Sequence, residues 1–334
     1  MKPAFLITID TEGDNLWARP QTVKTANAGF LSRFQALCER HGLKPTYLAN
    51  WEMATSPAFQ DFGKDVLARG QGEIGMHLHA WNSPPIVPLT DDDARHHPYL
   101  IEYPESQIRQ KIKAMTDVLE QVFAVKMVSH RAGRWAFDET YARILVEHGY
   151  RVDCSVTPHI SWAGYMGHPG GHGGSDYTAF PQAPYFVDLD DIARPGRSPL
   201  LEAPLTVLAP RYPLPVRYAK ALMGLGGSMG WRAVNHFYPG TVRCVPNGKN
   251  RVHLLRLLTT ALFEKRDCVE LAFHSSELMP GGSPTFSTAS SIEDLYQDLD
   301  AVFSAAAESF IGVTLEEYHR RVSLASGVCG SNNA

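Results

Sequence analysis

KPAFLITIDTEGD (residues 2–14) decides the fold. Its centre, Ala4 to Asp10, is apolar, rich in β-branched residues and ends abruptly in a carboxylate. A short continuous apolar run of this kind is a strand buried on both faces. Outward from it the pattern changes period. Residues 25–41 read as an amphipathic helix with Phe30, Phe34, Leu37 and Cys38 on one stripe, stopped at Gly42. KPTYLAN (44–50) is a second strand. Residues 57–69 are a helix closed by Gly70, and GEIGMHLHAW (72–81) is a third strand running into a loop. A long helix over 104–123, a strand KMVSHR (126–131), a helix over 138–148 stopped by Gly149 and a strand YRVDCSV (150–156) follow. Strands alternating with helices imply parallel strands joined by crossover helices, in a doubly wound sheet or an α/β barrel.

The alternation breaks at 157–249. This stretch holds HPGGHGGSD (168–176) and the glycine-rich ALMGLGGSMG (221–230), and it is too aromatic for a disordered linker. It reads as a loop-rich insertion with a short strand over 200–207 and an irregular helix near 215–236. Regular alternation then resumes with a helix at 250–263, the strand CVELAFH (268–274), a helix at 291–307, a strand at 310–313 and a helix at 315–322. The late strands are needed to complete the early sheet. A single domain over 1–325 with the insertion at 157–249 is therefore expected, followed by a flexible tail at 326–334.

Composition excludes several classes. Of the 334 residues 44% are hydrophobic and 20% charged, as in an ordinary globular chain rather than a disordered or fibrous one. With 31 Lys+Arg against 35 Asp+Glu the net charge is -4, which argues against sequence-independent binding to nucleic acid or an anionic membrane. Cys38, Cys154, Cys244, Cys268 and Cys329 are scattered and never spaced as C-x-x-C, so reduced, mostly buried thiols are expected. No apolar run approaches a transmembrane span, and Pro3–Ile9 is too short for a leader. The expected location is cytoplasmic, including the inner face of the membrane.

Polar residues gather where the strands end, and in α/β folds that is where ligands bind. TIDTEGD carries Asp10, Glu12 and Asp14 at alternate positions. Three acids so close repel one another unless a cation or a base role separates them, although any one of them could equally cap a helix. MHLHAW sets His77 and His79 two apart on a strand, pointing to one side, which suits two ligands of one divalent metal. Two His with one carboxylate suit hydrolytic zinc, and equally ferrous iron. In SHRAGRW, Arg131 and Arg134 could each fix a carboxylate, and Trp135 could be a sugar platform or core. His274 ends the apolar strand of LAFHSSELMPGG, where it could give or take a proton near neutral pH. His97 is a further candidate contact, while His96, His168 and His172 read as solvated loop residues.

TIDTEGD, EIGMHLHAW, SHRAGRW, YRVDCSVTP and LAFHSSELMPGG, in that order over residues 7–280, resemble the conserved blocks of the polysaccharide deacetylase family. This is the NodB-homology group, carbohydrate esterase family 4, and the likeness is to its atypical WalW-type branch. The resemblance implies a distorted (β/α) barrel of about seven parallel strands and a divalent metal, most often Zn2+. It also implies removal of N-acetyl, or sometimes O-acetyl, groups from sugars. By the same resemblance Asp10 is the catalytic base, Glu12 a metal ligand with Asp14 as a fallback, and His77 a second ligand. The family's next histidine would fall at Trp81, a departure that leaves His79 as the substitute. Arg131 matches the base-orienting arginine, although Gly133 stands where the family has proline, and His274 matches the general acid. Arg134, Trp135, Trp81, Asp14 and His97 are then the expected substrate contacts. The expected substrate is an N-acetylated glycan or its lipid-linked or nucleotide-linked precursor.

Competing readings remain open at this level. An amidohydrolase barrel also uses H-x-H, but after its first strand. A glycoside hydrolase could pair Asp10 with Asp14 and need no metal. A sugar-binding protein could keep the fold and have lost the chemistry.

Overall fold

The computed structural model describes residues 2–167, 171, 173–209, 212–216, 218 and 240–326. The expected irregular helix near 215–236 falls largely outside these residues, and His168, His172, the run 221–230 and the tail from 327 wholly so.

The strands are β1 (Ala4–Thr11), β2 (Pro45–Ala49), β3 (Glu73–Leu78), β4 (Ser129–Ala132), β5 (Val152–Asp153), β6 (Tyr185–Asp188), β7 (Asp191–Pro195), β8 (Leu201–Glu202), β9 (Val207–Leu208), β10 (Val242–Arg243), β11 (Cys268–His274) and β12 (Ile311–Gly312). Seven of them run parallel in the order β11–β1–β2–β3–β4–β5–β8, as a NodB-like barrel requires. The antiparallel pair β6 and β7 extends the sheet beyond β8, and β12 adds a short parallel piece to β1. The segment after β8 curls the sheet back toward β11. Leu205 N–H donates to Val156 O (3.0 Å), Glu270 N–H to Thr206 Oγ1 (2.8 Å) and Ala272 N–H to Cys244 O (3.1 Å).

β1 is buried along its whole length, and its two sides meet different surroundings. Phe5, Ile7 and Ile9 pack outward against helices, with Phe5 edge-on to Phe303 at 6.2 Å and near Phe310 at 6.1 Å. Ala4 and Leu6 point into the barrel with Leu48, Val152, Cys154, Leu201 and Cys268, and Leu315 and Tyr318 of the last helix close that end. Each large apolar side chain so buried contributes about 1.5–3 kcal/mol. At the next level inside the barrel the apolar filling stops, and Thr8, Arg131 and Glu270 replace it. The four described cysteines are free and buried.

Three elements differ from expectation for local reasons. The 25–41 helix starts as a 3-10 turn over Ala26–Phe30 and becomes α-helical only at Leu31–Arg40. Asp14 captures the amides of Ala26 and Asn27, Asn27 and Ala28 turn inward, and Phe30 is left 39% exposed. The strand expected over 150–156 pairs only at Val152–Asp153. Asp153 bends back to accept from Ser155 N–H (2.8 Å) and Ser155 Oγ (3.0 Å), which ends the ladder. The strand expected over 200–207 divides into β8 and β9 around Pro204, which has no N–H to offer a ladder.

Candidate active site

The parallel register brings the reactive strand ends side by side. Asp10 pairs with His274 across β1 and β11, and His77 with Arg131 across β3 and β4. All four side chains rise from the carboxyl ends of their strands into one cleft or the layer just beneath it.

Arg131 is the anchor. Its guanidinium is fully buried and donates through Nη1 to Asp10 Oδ1 (2.6 Å), through Nη2 to Thr8 Oγ1 (2.5 Å) and to Glu270 Oε1, and through Nε to Cys154 O (3.1 Å). Thr8 Oγ1 passes the chain on by donating to Glu270 Oε1 (2.7 Å). The Trp135 ring covers the guanidinium at 4.8 Å. Burial alone would raise the Asp10 carboxyl, but Arg131, His77 and His274 outweigh it and hold the group below the usual carboxylate range. Glu270 lacks so much compensation. Burial pushes it up to about 7, against the pull of Arg131 and Thr8.

Glu12, His77 and His79 form a second group just above. Glu12 Oε2 lies 2.9 Å from His79 Nε2 and 3.5 Å from His77 Nε2, and the two Nε2 atoms are 3.1 Å apart. His77 Nδ1 is 3.0 Å from Arg131 O. A carbonyl oxygen can only accept, so Nδ1 donates to it, and the ring is held with Nε2 facing Glu12. Burial holds His79 below its ordinary pKa, as a neutral ligand requires. Glu12 is the reverse. Burial would raise it, but its hydrogen bonds to the two imidazoles win and keep it ionised. The Glu12 backbone is pinned on both sides, its N–H by Ser275 Oγ (3.2 Å) and its C=O by Asn27 Nδ2 (2.9 Å). Two imidazole nitrogens and a carboxylate converging on one point are a donor set suited to a divalent cation, and the three ligand atoms lie within 4.8 Å of one another. The residues therefore fit a metal ion.

His274 stands across the cleft with its side chain 29% exposed. Its Nε2 is 3.7 Å from Asp10 Oδ2 and 3.9 Å from Glu12 Oε1. Glu277 holds the other side, with Oε2 accepting from His274 N–H (3.0 Å) and lying 3.5 Å from Nδ1. Burial disfavours the ring's charge, yet Glu277, Glu12 and Asp10 together raise its pKa to about 9. Trp17 meets the imidazole edge-on at 4.8 Å.

The cleft encloses about 700 Å³. Trp81, Arg134 and Trp135 line it, and the Trp81 ring lies tilted beside that of His79 at 4.4 Å. Asp14 and His97 lie off its wall. Asp14 is spent on Ala26 N–H (3.0 Å), Asn27 N–H (2.9 Å) and Asn27 Nδ2 (2.7 Å), the capping role any one of these acids could have had. His97 faces Glu102 at 3.8 Å. With Asp14 turned away, the Asp10–Asp14 pair of a glycoside hydrolase does not form. His77 stands on the third strand, where an amidohydrolase barrel would have it after the first.

Sequence reasoning missed Thr8, Glu270, Trp17, Tyr99, Trp162 and Tyr165. The first two were legible. Thr8 is two residues before Asp10, and Glu270 four before His274, so strand alternation turns each toward the same side as its partner. The aromatic residues come from loops and, for Trp17, a short 3-10 turn (Leu16–Ala18), where no periodicity marks them.

No family model and no curated protein matches the chain. Solved structures do. A protein assigned as a polysaccharide deacetylase from Mycobacterium smegmatis superposes with a TM-score of 0.50 at 14% identity, over 97% of this chain and 92% of that one. A protein assigned as a glycoside hydrolase/deacetylase from Parabacteroides distasonis gives a TM-score of 0.59 at 10% identity, over 97% of this chain and 72% of that one. The parallel seven-strand order, the reactive strand ends and these superpositions agree: the chain has the NodB-like barrel fold of the polysaccharide deacetylases.

Proposed function

We propose that this chain is a metal-dependent carbohydrate deacetylase that removes the acetyl group from an N-acetylated sugar of a polysaccharide or its precursor. One observation carries the reading. A carboxylate fixed by a buried arginine, a three-donor metal group and a histidine held by an acid all face the same cleft. That is the set amide hydrolysis needs.

Glu12, His77 and His79 would hold the cation, Zn2+ by the character of the donors, and when bound it supplies the positive charge that acidifies a water and polarises a carbonyl. Asp10 takes the proton of the attacking water through Oδ2, because Oδ1 is engaged by Arg131. As the new C–O bond forms and the C–N bond breaks, His274 Nε2 gives its proton to the leaving amine. Acetate and a free amino sugar result. Trp17, Trp81 and Trp135 offer faces on which sugar rings stack.

Two tests belong here. His274→Ala should lower the rate of acetamide hydrolysis by about 10²–10⁴. A 4-nitrophenyl acetate substrate, whose leaving group needs no proton, should lose less than tenfold by the same reasoning. Equal losses on both substrates would remove His274 from the acid role. His79→Ala should strip the metal from purified protein, read by elemental analysis, and chelation of the wild type should abolish acetate release until Zn2+ is restored. Full activity in the chelated protein would end the metal-dependent reading.

A further inference from the structure

The turn after β4 carries two arginines with opposite surroundings. Arg131 is buried between acids, whereas Arg134 is exposed on the cleft wall, with no carboxylate within ion-pair distance among the described residues. Its guanidinium lies 5.7 Å from the centre of the Tyr99 ring. The turn is held against backbone preference. Arg134 and Trp135 both take left-handed angles, with φ of 56° and 60°, a region that residues other than glycine rarely enter. Tyr177 Oη locks it by donating to Trp135 O (2.5 Å), and Gly133 sits so close to His79 that a Cβ there would lie 2.6 Å from Nδ1. A strained turn wedged against the metal group, and presenting a cation without a counter-ion, is built for something outside the protein.

A second arginine stands on the same wall. Arg19 is exposed on it, also left-handed with φ of 49°, and also without an acid in ion-pair distance among the described residues. Among the described residues, the one acid on the wall beyond Asp10 and Glu12 is Asp92, which accepts from Arg95 N–H at 3.2 Å. The same cleft is also lined by the aromatic side chains of Trp17, Trp81, Tyr99, Trp162 and Tyr165.

We propose that the cleft selects an N-acetylated glycan bearing an anionic group, a carboxylate or a phosphate ester, beside the acetylated sugar, and that Arg134 is the anion's partner. The acetyl-removal part rests on the deacetylase reading; the anion subsite does not. Guanidinium binds carboxylate and phosphate alike through paired N–H donors, so the experiment separates the two sources.

Binding of three probes is followed by tryptophan fluorescence: a uronate-containing N-acetylhexosamine oligosaccharide, a nucleoside-diphosphate-linked N-acetylhexosamine and a neutral chitooligosaccharide. At low salt the wild type should bind at least one anionic probe about tenfold or more tightly than the neutral one, as a charge-assisted pair implies. The preferred probe identifies carboxylate or phosphate. Arg134→Gln should erase that preference while leaving the neutral probe within about twofold by the same reasoning. Arg134→Gly, which relieves the left-handed strain, should do the same, so a folding defect cannot mimic the result. Equal or tighter binding of the neutral probe, or equal weakening of all three in the variants, overturns the proposal. Acetate release is measured in parallel. Its absence from all three probes, with the Arg134 effect intact, would sink the hydrolysis and leave the anion subsite standing.

Discussion

Asp10→Asn should reduce acetate release by about 10³ while metal content stays at the wild-type level. The substitution is nearly isosteric, and an amide oxygen can still accept from Arg131 Nη1, which now lies 2.6 Å from Oδ1. The three donors proposed for the metal are on other residues. What disappears is the capacity to take a proton. In the wild type that capacity is present at neutral pH because Arg131, His77 and His274 keep the carboxyl ionised despite its burial. The loss should therefore appear in kcat, with KM moving little, since an interaction confined to the transition state is removed. Steady-state kinetics with elemental analysis decide the point. A variant within tenfold of the wild type, or one that has also lost its metal, would mean that Asp10 is not the base.

Arg131→Met should cost about 3–5 kcal/mol of stability, the range for removing one member of a buried ion network. Arg131 is the cation shared by two buried carboxylates, Asp10 and Glu270. Without it both must be protonated or remain charged in the interior. The pH dependence follows in sign. Asp10 has a depressed pKa in the folded wild type, so the stability it contributes is present above the unfolded value of about 4 and is lost as pH falls through the folded one. In the variant the Asp10 pKa rises instead, and the folded state loses ground as pH increases. The difference between the two proteins should therefore be largest near neutrality and shrink toward pH 4. Adding Glu270→Gln to Arg131→Met should recover part of the loss, because one stranded carboxylate is then gone. Denaturant unfolding at several pH values measures all of this. A penalty under 1 kcal/mol, or one independent of pH, would show that the guanidinium is not the keystone.

Much of the site was legible because strand periodicity is strict. Alternation turned His77 and His79 to one side, and the abrupt change from apolar to acidic at Asp10 marked the strand's functional end. The same rule applied backward would have exposed Thr8 and Glu270, which the apolar context of AFLITID and CVELAFH concealed. Asp14 shows the limit. Its position two beyond Glu12 looked like continued alternation, but β1 ends at Thr11 and the chain turns, so the third acid caps a neighbouring helix instead. Phe30 failed for the same cause, since that cap tightens the turn leading into the helix.

Outside the 157–249 insertion, sequence alone determined the order of the main strands and helices and the kinds of groups at the strand ends, because both follow from local periodicity and from where apolar runs stop. Only the tertiary structure decided which of those groups meet. The register between β1 and β11 sets Asp10 beside His274, and that pairing joins residues 264 apart along the chain. The buried share of Arg131 between Asp10 and Glu270, the approach of Glu12 to His77 and His79, and the aromatic walls drawn from separate segments depend likewise on contacts across the sheet, which no local pattern records.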